Sequence, residues 1–491
     1  MSSYRIIFNS TALIGSVQII HILMGIIRIK VLALLLGPAG IGLVGLYTAS
    51  TDLIGTITGV GIGSSGVRQI AEATGAKDEK KIARTIIALR RSSVTSGALG
   101  MLVVLALCVP LSRLTFGDRQ HTWGMALMSL TLLFVGISAG QIALLQGLRK
   151  IKDLAWSRAL GALFGTLATI ALIYLLREDG IVPYLVVVSA FGILTSWWYA
   201  RRIRVKPVRM SLQETWRESK ELLGLGSAFM VSALLTAGVA YASRIFILYT
   251  LGKDAVGLYQ ATWTLSTLYV SFVLNAMATD FYPRLTAVAK DNDAVNRMVN
   301  EQTEMGLLIA IPGVLATITL APWVLSVFYS GEFISATGII RWQILGIGLR
   351  VASWPLGFVQ LAKGKGTIFL LTELAASTLH IALLVVGLRL FGLDGVGISF
   401  ALLYVFYTAG MLLVCRWLSR FEWSRQAKRI LISSFAVVSV VFIATHILPE
   451  GLALTCNIAV TALSTIGCLQ SLQRLLNVKL WSLLKTKLFG R

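Results

Sequence analysis

Apolar runs of 18–29 residues recur along the whole chain, separated by short polar segments. A run of that length matches a helix crossing a bilayer, because a hydrocarbon core of about 30 Å takes roughly 20 residues at about 1.5 Å each. Fourteen spans are predicted, at 11–36, 41–66, 92–112, 122–147, 159–176, 183–200, 222–250, 256–281, 305–328, 336–362, 367–390, 395–415, 430–448 and 452–472. The expected fold class is therefore an all-α integral membrane protein of about 14 transmembrane helices. Composition agrees, since 56% of the 491 residues are hydrophobic and only 13% are charged. A net charge of +22 would suggest nucleic acid in a soluble chain. Here the cations sit in short runs between spans, so membrane lipids are the expected partners and nucleic acid is not.

Lysine and arginine set the orientation, because short translocated loops avoid them. One alternating set of loops and tails carries 34 of the 44 and the other carries five, Arg113, Arg119, Arg177, Lys253 and Arg389. Both termini are thus expected in the cytoplasm, which requires an even number of spans. The N-terminus reads as an uncleaved first span of a multi-pass chain. Lys77 to Arg91 mixes charged and apolar residues at helical spacing, so it is expected either as a solvated loop or along the inner interface. Cys108, Cys415, Cys456 and Cys468 form no C-x-x-C pair, and no metal site, disulfide framework or cofactor is expected.

The chain also repeats itself. Leu36-Gly37-Pro38-Ala39-Gly40-Ile41-Gly42-Leu43 returns 215 residues later as Leu251-Gly252-Lys253-Asp254-Ala255-Val256-Gly257-Leu258. Related segments begin at Leu176 and Phe391, each 140 residues beyond its own copy. The expected organisation is two parallel six-helix halves around a central cavity, 1–210 and 211–418, followed by 419–491 with two additional helices and a basic tail. Those last two helices carry no mid-span charge and are expected to extend laterally into lipid.

Ionisable side chains inside spans are costly and usually face a cavity or a partner. Arg28, Lys30, Arg244, Arg341 and Arg350 outnumber Asp52 and Glu373, so an anionic substrate is expected, with Arg28, Arg244, Arg350 and Lys30 as its cationic cavity. Arg28 and Arg244 occupy similar depths in repeat-equivalent helices; their other reading is static pairing with carbonyls or with Asp52. Arg341 is expected to snorkel. Candidates for ion coupling are Glu373, Asp52, His21 and His380: Glu373 shares a helical stripe with Ser377 and His380 and can reach Arg350, or it can instead meet Lys363 or Lys365. Gly61-Ile62-Gly63-Ser64-Ser65-Gly66 matches a dinucleotide fingerprint literally but lacks its preceding strand, so helix packing is the expected role. No nucleotide-hydrolysing loop or catalytic constellation stands out, and the chain is not expected to be an enzyme.

Gly37-Pro38-Ala39-Gly40, Gly257-Leu258-Tyr259-Gln260, Tyr282-Pro283-Arg284-Leu285, Trp342-Gln343, Leu361-Ala362-Lys363 and Glu373 are similar to the Wzx-type O-antigen and lipid III flippases, over roughly residues 10–415. This family belongs to the multidrug/oligosaccharidyl-lipid/polysaccharide exporter superfamily, and its members commonly have twelve spans. The extra pair here looks like the lipid II flippase arrangement. The resemblance implies alternating access that passes an undecaprenyl-diphosphate-linked oligosaccharide, an O-antigen, common-antigen or exopolysaccharide repeat unit, from the cytoplasmic to the periplasmic leaflet. A polysaccharide polymerase and a chain-length regulator are the implied protein partners. The alternatives are an ion-coupled multidrug or small-solute antiporter of the same fold and, from another class, a membrane glycan polymerase or ligase.

Overall fold

In lipid every backbone N–H and C=O must be satisfied within its own segment, which leaves helices as the solution for single apolar runs. The computed structural model describes residues 3–59, 61–75, 78–203 and 208–476, with side chains described outside 3–19, 21, 64, 212, 221–229, 269, 272–273 and 275–280. Among the described residues all regular structure is helical. The helices are α1 (Ser3–Gly59), α2 (Ile62–Gly75), α3 (Glu79–Phe116), α4 (Thr122–Gly147), α5 (Ile151–Leu176), α6 (Ile181–Ala200), α7 (Leu212–Leu251), α8 (Lys253–Ala287), α9 (Asn292–Thr319), α10 (Ala321–Phe328), α11 (Thr337–Ala362), α12 (Gly366–Phe391), α13 (Asp394–Ser419), α14 (Arg425–Ile447) and α15 (Glu450–Leu476). Eleven helical runs among the described residues are long and apolar enough to cross a membrane. Two of them carry an internal break: Ile22–Gly59 at Gly37 and Ile151–Ala200 at the 3-10 turn Arg177–Gly180.

Where a helix extends beyond the apolar run, its start is capped. Asp78 accepts the Lys81 N–H at α3, Ser424 accepts the Ala427 N–H at α14, and Ser211 and Glu214 form a reciprocal capping box at α7. These caps change one expectation. Lys77 lies outside the described residues, but Glu79 to Arg91 is neither a loop nor an interfacial helix, because Asp78 starts α3 and the helix continues to Phe116, about 57 Å in all. Ile86 and Leu89 on that stretch are buried in a cluster with Ile62, Ile70, Ala143 and Leu144, so packing on α2 and α4 wins over the interface. The predicted second span also breaks. Its helix ends at Gly59 and restarts at Ile62 after Gly61 at φ 66°.

The 215-residue spacing runs through the backbone. Gly37 (φ 63°, ψ −167°) and Gly252 (φ 88°, ψ −178°) make the same turn, one open to glycine and costly for other residues. Arg177 and Gly392 share φ of 54° and 56°, and Arg149 and Gly364 share 54° and 68°. Both ends of α4 and α5 map onto those of α11 and α12 at the same offset. The two glycine hairpins also touch reciprocally. A Cβ on Gly42 would fall on the Lys253 carbonyl, and one on Gly257 on the carbonyl of Pro38, Lys253's counterpart, so both positions require glycine.

Two compact units emerge: Met1–Gly257 with Phe328–Ser330, and Leu258–Val327 with Gly331–Arg491. In the first, α1 to α6 pack together and α7 lies on α1, α2 and α3. In the second, α9, α11, α12 and α13 form the body, and α14 and α15 pack on α9. The outward residues of that last pair are apolar, with Ile432 71%, Ile447 74% and Leu463 70% exposed, as lipid contact requires.

Candidate functional site

A cavity of about 620 Å³ lies inside the first unit. The second half of α1 supplies Thr51, Asp52, Thr56 and Thr58; α3 supplies Ser96, α4 supplies Thr131, and Met230 and Ala233 come from α7. Gly59, Gly61 and Gly63, at the end of α1 and the start of α2, form part of its wall. Thr51, Thr56 and Thr58 donate their hydroxyl protons to carbonyls of their own helix, at Tyr47, Asp52 and Ile54 (3.0, 2.7 and 3.1 Å), which leaves the hydroxyl oxygens as acceptors. Asp52 is the single ionisable residue of the lining among the described residues, and its carboxylate is exposed to the cavity.

The charge of Arg244 reaches Asp52. Arg244 sits on α7, only 6% exposed, and its Nη1 donates to the Ala240 carbonyl at 2.6 Å. Arg28 and Lys30, on the first half of α1, are half-buried, and the charge of Arg28 reaches the buried Tyr184 of α6. The Thr166 hydroxyl, donating to the Met24 carbonyl at 3.2 Å, ties that part of α1 to α5. Neither Arg28 nor Arg244 is among the residues lining the cavity. His21 lies outside the residues whose side chains are described.

The second unit gathers its own set. The Arg350 guanidinium lies 5.8 Å from the Tyr404 ring, and the charges of Arg350 and Glu373 both reach Tyr404 and Tyr407. His380 packs on Phe400 at 6.0 Å, beside Tyr404. Arg350 from α11 and Glu373 and His380 from α12 thus face one aromatic group on α13. Lys363 is engaged elsewhere, donating to Asn292 Oδ1 at 2.6 Å and the Ala289 carbonyl at 3.2 Å. Arg341 donates to the Ile318 carbonyl at 3.3 Å.

Three arrangements depend on contacts between helices that spacing alone does not give. Gln343 on α11 is buried, accepts from the Ser266 hydroxyl at 3.1 Å and has an amide nitrogen with no acceptor among the described residues. Asn296, Asn300 and Glu304 form a ladder on α9 that binds the chain entering α14, through the carbonyls of Ser419 and Glu422 and the N–H and hydroxyl of Ser424. Their spacing of four residues was the available signal. The third is His121, stacked on Phe116 at 4.0 Å and bonded through Nδ1 to the Tyr47 hydroxyl at 2.9 Å. Burial holds its imidazole below the ordinary histidine pKa; Asp118 opposes this, and the Lys253 ammonium adds to it.

A multi-pass membrane protein, helical throughout the regular structure of its described residues, with a buried arginine on α7 and a cavity lined by a carboxylate, has the general build of the exporter and flippase fold. Solved structures agree. The lipid II flippase MurJ in an inward closed conformation matches with a TM-score of 0.69, at 14% identity over 95% of this chain and 99% of that one. An inward-facing multidrug resistance transporter of the MATE family, in the MOP superfamily, matches at 0.67, at 17% identity over 81% and 94%. The chain belongs to the family described as polysaccharide biosynthesis protein, whose model matches residues 7–289. Among curated relatives, the lipid III flippases of Escherichia coli (strain K12) and Shigella flexneri are 24% identical over 365 residues, 72% of this chain and 85% of theirs.

Proposed function

We propose that the chain flips an undecaprenyl-diphosphate-linked oligosaccharide from the cytoplasmic to the periplasmic leaflet of a bacterial inner membrane by alternating access, crossing the bilayer fourteen times in two six-helix halves plus an appended pair. One observation carries the reading beyond family membership. Arg244 is almost fully buried within an apolar helix, where a guanidinium is costly unless it has anionic company. The charge of Asp52 reaches it, and a diphosphate, with more acceptor oxygens, offers this guanidinium a closer anionic partner. Arg28, Lys30 and Arg350 extend the cationic path. O-antigen, common-antigen and exopolysaccharide units share the diphosphate that this chemistry recognises. A polysaccharide polymerase and a chain-length regulator are the partners that would consume the product.

Energy comes from an ion gradient or the membrane potential in this reading. A carboxylate couples transport to protons only if its charge differs between the two access states. Glu373 is the leading group, since it shares the Tyr404 and Tyr407 environment with Arg350, and Asp52 is the second.

One observation favours a second reading. Among the described residues the sole charge lining the 620 Å³ cavity is acidic, which suits a cationic solute and an ion-coupled antiporter. The test is proteoliposome transport of a fluorescent lipid-diphosphate oligosaccharide beside a cationic dye. Movement of the glycan lipid with no dye flux supports the flippase; dye flux coupled to protons without glycan movement overturns it.

A further inference from the structure

α5 and α6 form a tight antiparallel hairpin whose register is set by Gly161 against Thr195, Gly165 against Val188, and Phe164 stacked on Phe191 at 5.7 Å. Extended toward the open end, that register brings Trp156 level with Trp197 and Trp198, and Lys152 level with Arg201 and Arg202. All three tryptophans are close to half exposed, at 45%, 49% and 47%. Arg149, Lys150, Lys152, Arg158, Arg201 and Arg202 are all exposed around them. Among the described residues none of the six is in an ion pair.

The arginines are held by the rings. The Arg201 guanidinium lies 3.7 Å from the Trp198 ring centre and 4.8 Å from that of Trp197, and Arg202 lies 4.7 Å from the Tyr199 ring. Stacking occupies the guanidinium face and leaves its N–H edge for an acceptor. The first turn of α5 adds further donors, since Lys150 at its N-cap makes no side-chain cap.

The second repeat copy is an internal control. Its hairpin, α12 and α13, has the same backbone plan, so fold and interface depth alone would give it the same residues. At the positions of Trp156, Trp197 and Trp198 it carries Leu371, Leu412 and Leu413. Gly364, Thr367, Glu373 and Trp417 replace Arg149, Lys152, Arg158 and Arg202, and only Lys365 and Arg416 remain basic. Generic placement of cations on the inner side therefore does not account for the first copy.

We propose that the open end of the α5–α6 hairpin is a binding site for the headgroups of anionic phospholipids. The tryptophans supply a ring platform at headgroup depth, and the guanidinium edges take the phosphate. The substrate's own diphosphate is the less suitable occupant, because no residue of α5 or α6 lines the cavity of this unit.

The test uses the purified full-length chain in detergent, with lipids retained against added phosphatidylglycerol, phosphatidylethanolamine or undecaprenyl diphosphate counted by native mass spectrometry. Phosphatidylglycerol should be retained in preference to phosphatidylethanolamine. The preference should fall about fivefold for each arginine removed by Arg201→Gln and Arg202→Gln, the scale of one interfacial cation. Trp198→Leu, which keeps every charge, should weaken it as well and serves if the arginine variants fail to fold. Lys365→Gln with Arg416→Gln should leave it unchanged. Equal retention of the two phospholipids by the unaltered chain overturns the proposal. So does an equal loss in the second-copy variant, or retention of undecaprenyl diphosphate alone.

Discussion

Buried charge is the feature of single residues that most constrains what this chain can do. Arg244→Ala should lower glycan-lipid transport by an order of magnitude or more while membrane abundance stays near normal, and Arg244→Lys should restore part of it, because an ammonium lacks the planar fork. Unaltered transport by the alanine variant would remove the cationic path. Glu373→Gln should abolish the dependence of transport on a pH gradient while substrate still binds. His121 gives a stability signature of its own. Its imidazole is held below the ordinary value, so the unfolded chain takes up a proton first as pH falls, and stability is lost below about pH 6.5. Melting temperature against pH should show that loss, and His121→Gln should flatten the curve. Arg28, Arg244, Asp52 and Glu373 were legible in the sequence because a charge inside an apolar run announces itself. The orphan amide of Gln343 and the His121–Tyr47 bond were not. Both depend on which groups on other helices lie opposite, and that information is held in packing rather than in spacing.

Helices and turns carry the repeat more faithfully than residues do. The predicted segments fall on helices because apolar length fixes a helix in lipid, and Gly37 and Gly252 mark their turns in both sequence and backbone. The break at Gly59–Gly61 was hidden, since the same glycines read equally well as packing residues inside a continuous span. The helical form of Glu79–Arg91 was hidden too, because its burial comes from α2 and α4. Arg177 keeps a backbone that its counterpart fills with Gly392. Arg177→Gly should therefore raise thermal stability, by about 1 kcal/mol once the larger unfolded-state entropy of glycine is subtracted. A lower melting temperature would show that the arginine side chain matters more than the turn. The α9 ladder decides where the last two helices can be removed. A chain ending after Ser424 keeps Phe421, which is fully buried, and all the partners of Asn296, Asn300 and Glu304. One ending after Trp417 loses them and should be less stable by roughly 3–5 kcal/mol, the cost of one buried aromatic. Equal melting of the two truncated chains would discount the ladder.

For the molecule as a whole, the lopsided cations give a topology that labelling checks directly. Cysteines placed at Lys80 and Arg425 should react only from the cytoplasm, and one at Glu178 only from outside; outside labelling at Arg425 would break the even count of crossings. The N-terminal stretch of α3 and the matching stretch of α9 share a further property. On α3, Arg91 donates to the Met210 carbonyl at 3.1 Å and to the Thr215 hydroxyl at 2.6 Å, Arg84 pairs with Glu214 at 3.1 Å, and Ser92 bonds to Ser219 at 2.7 Å. On α9, Asn296, Asn300 and Glu304 take the chain from Ser419 to Ser424. Each copy thus grips the segment by which the polypeptide leaves it, using a helix made more than a hundred residues earlier. During synthesis the receiving surface is complete before its ligand leaves the ribosome, and chains are generally folded from the N-terminal side first. The first six helices can be clasped shut while the seventh is still entering the membrane, and the second clasp forms only as α14 begins, so assembly proceeds in one direction with a checkpoint at each exit.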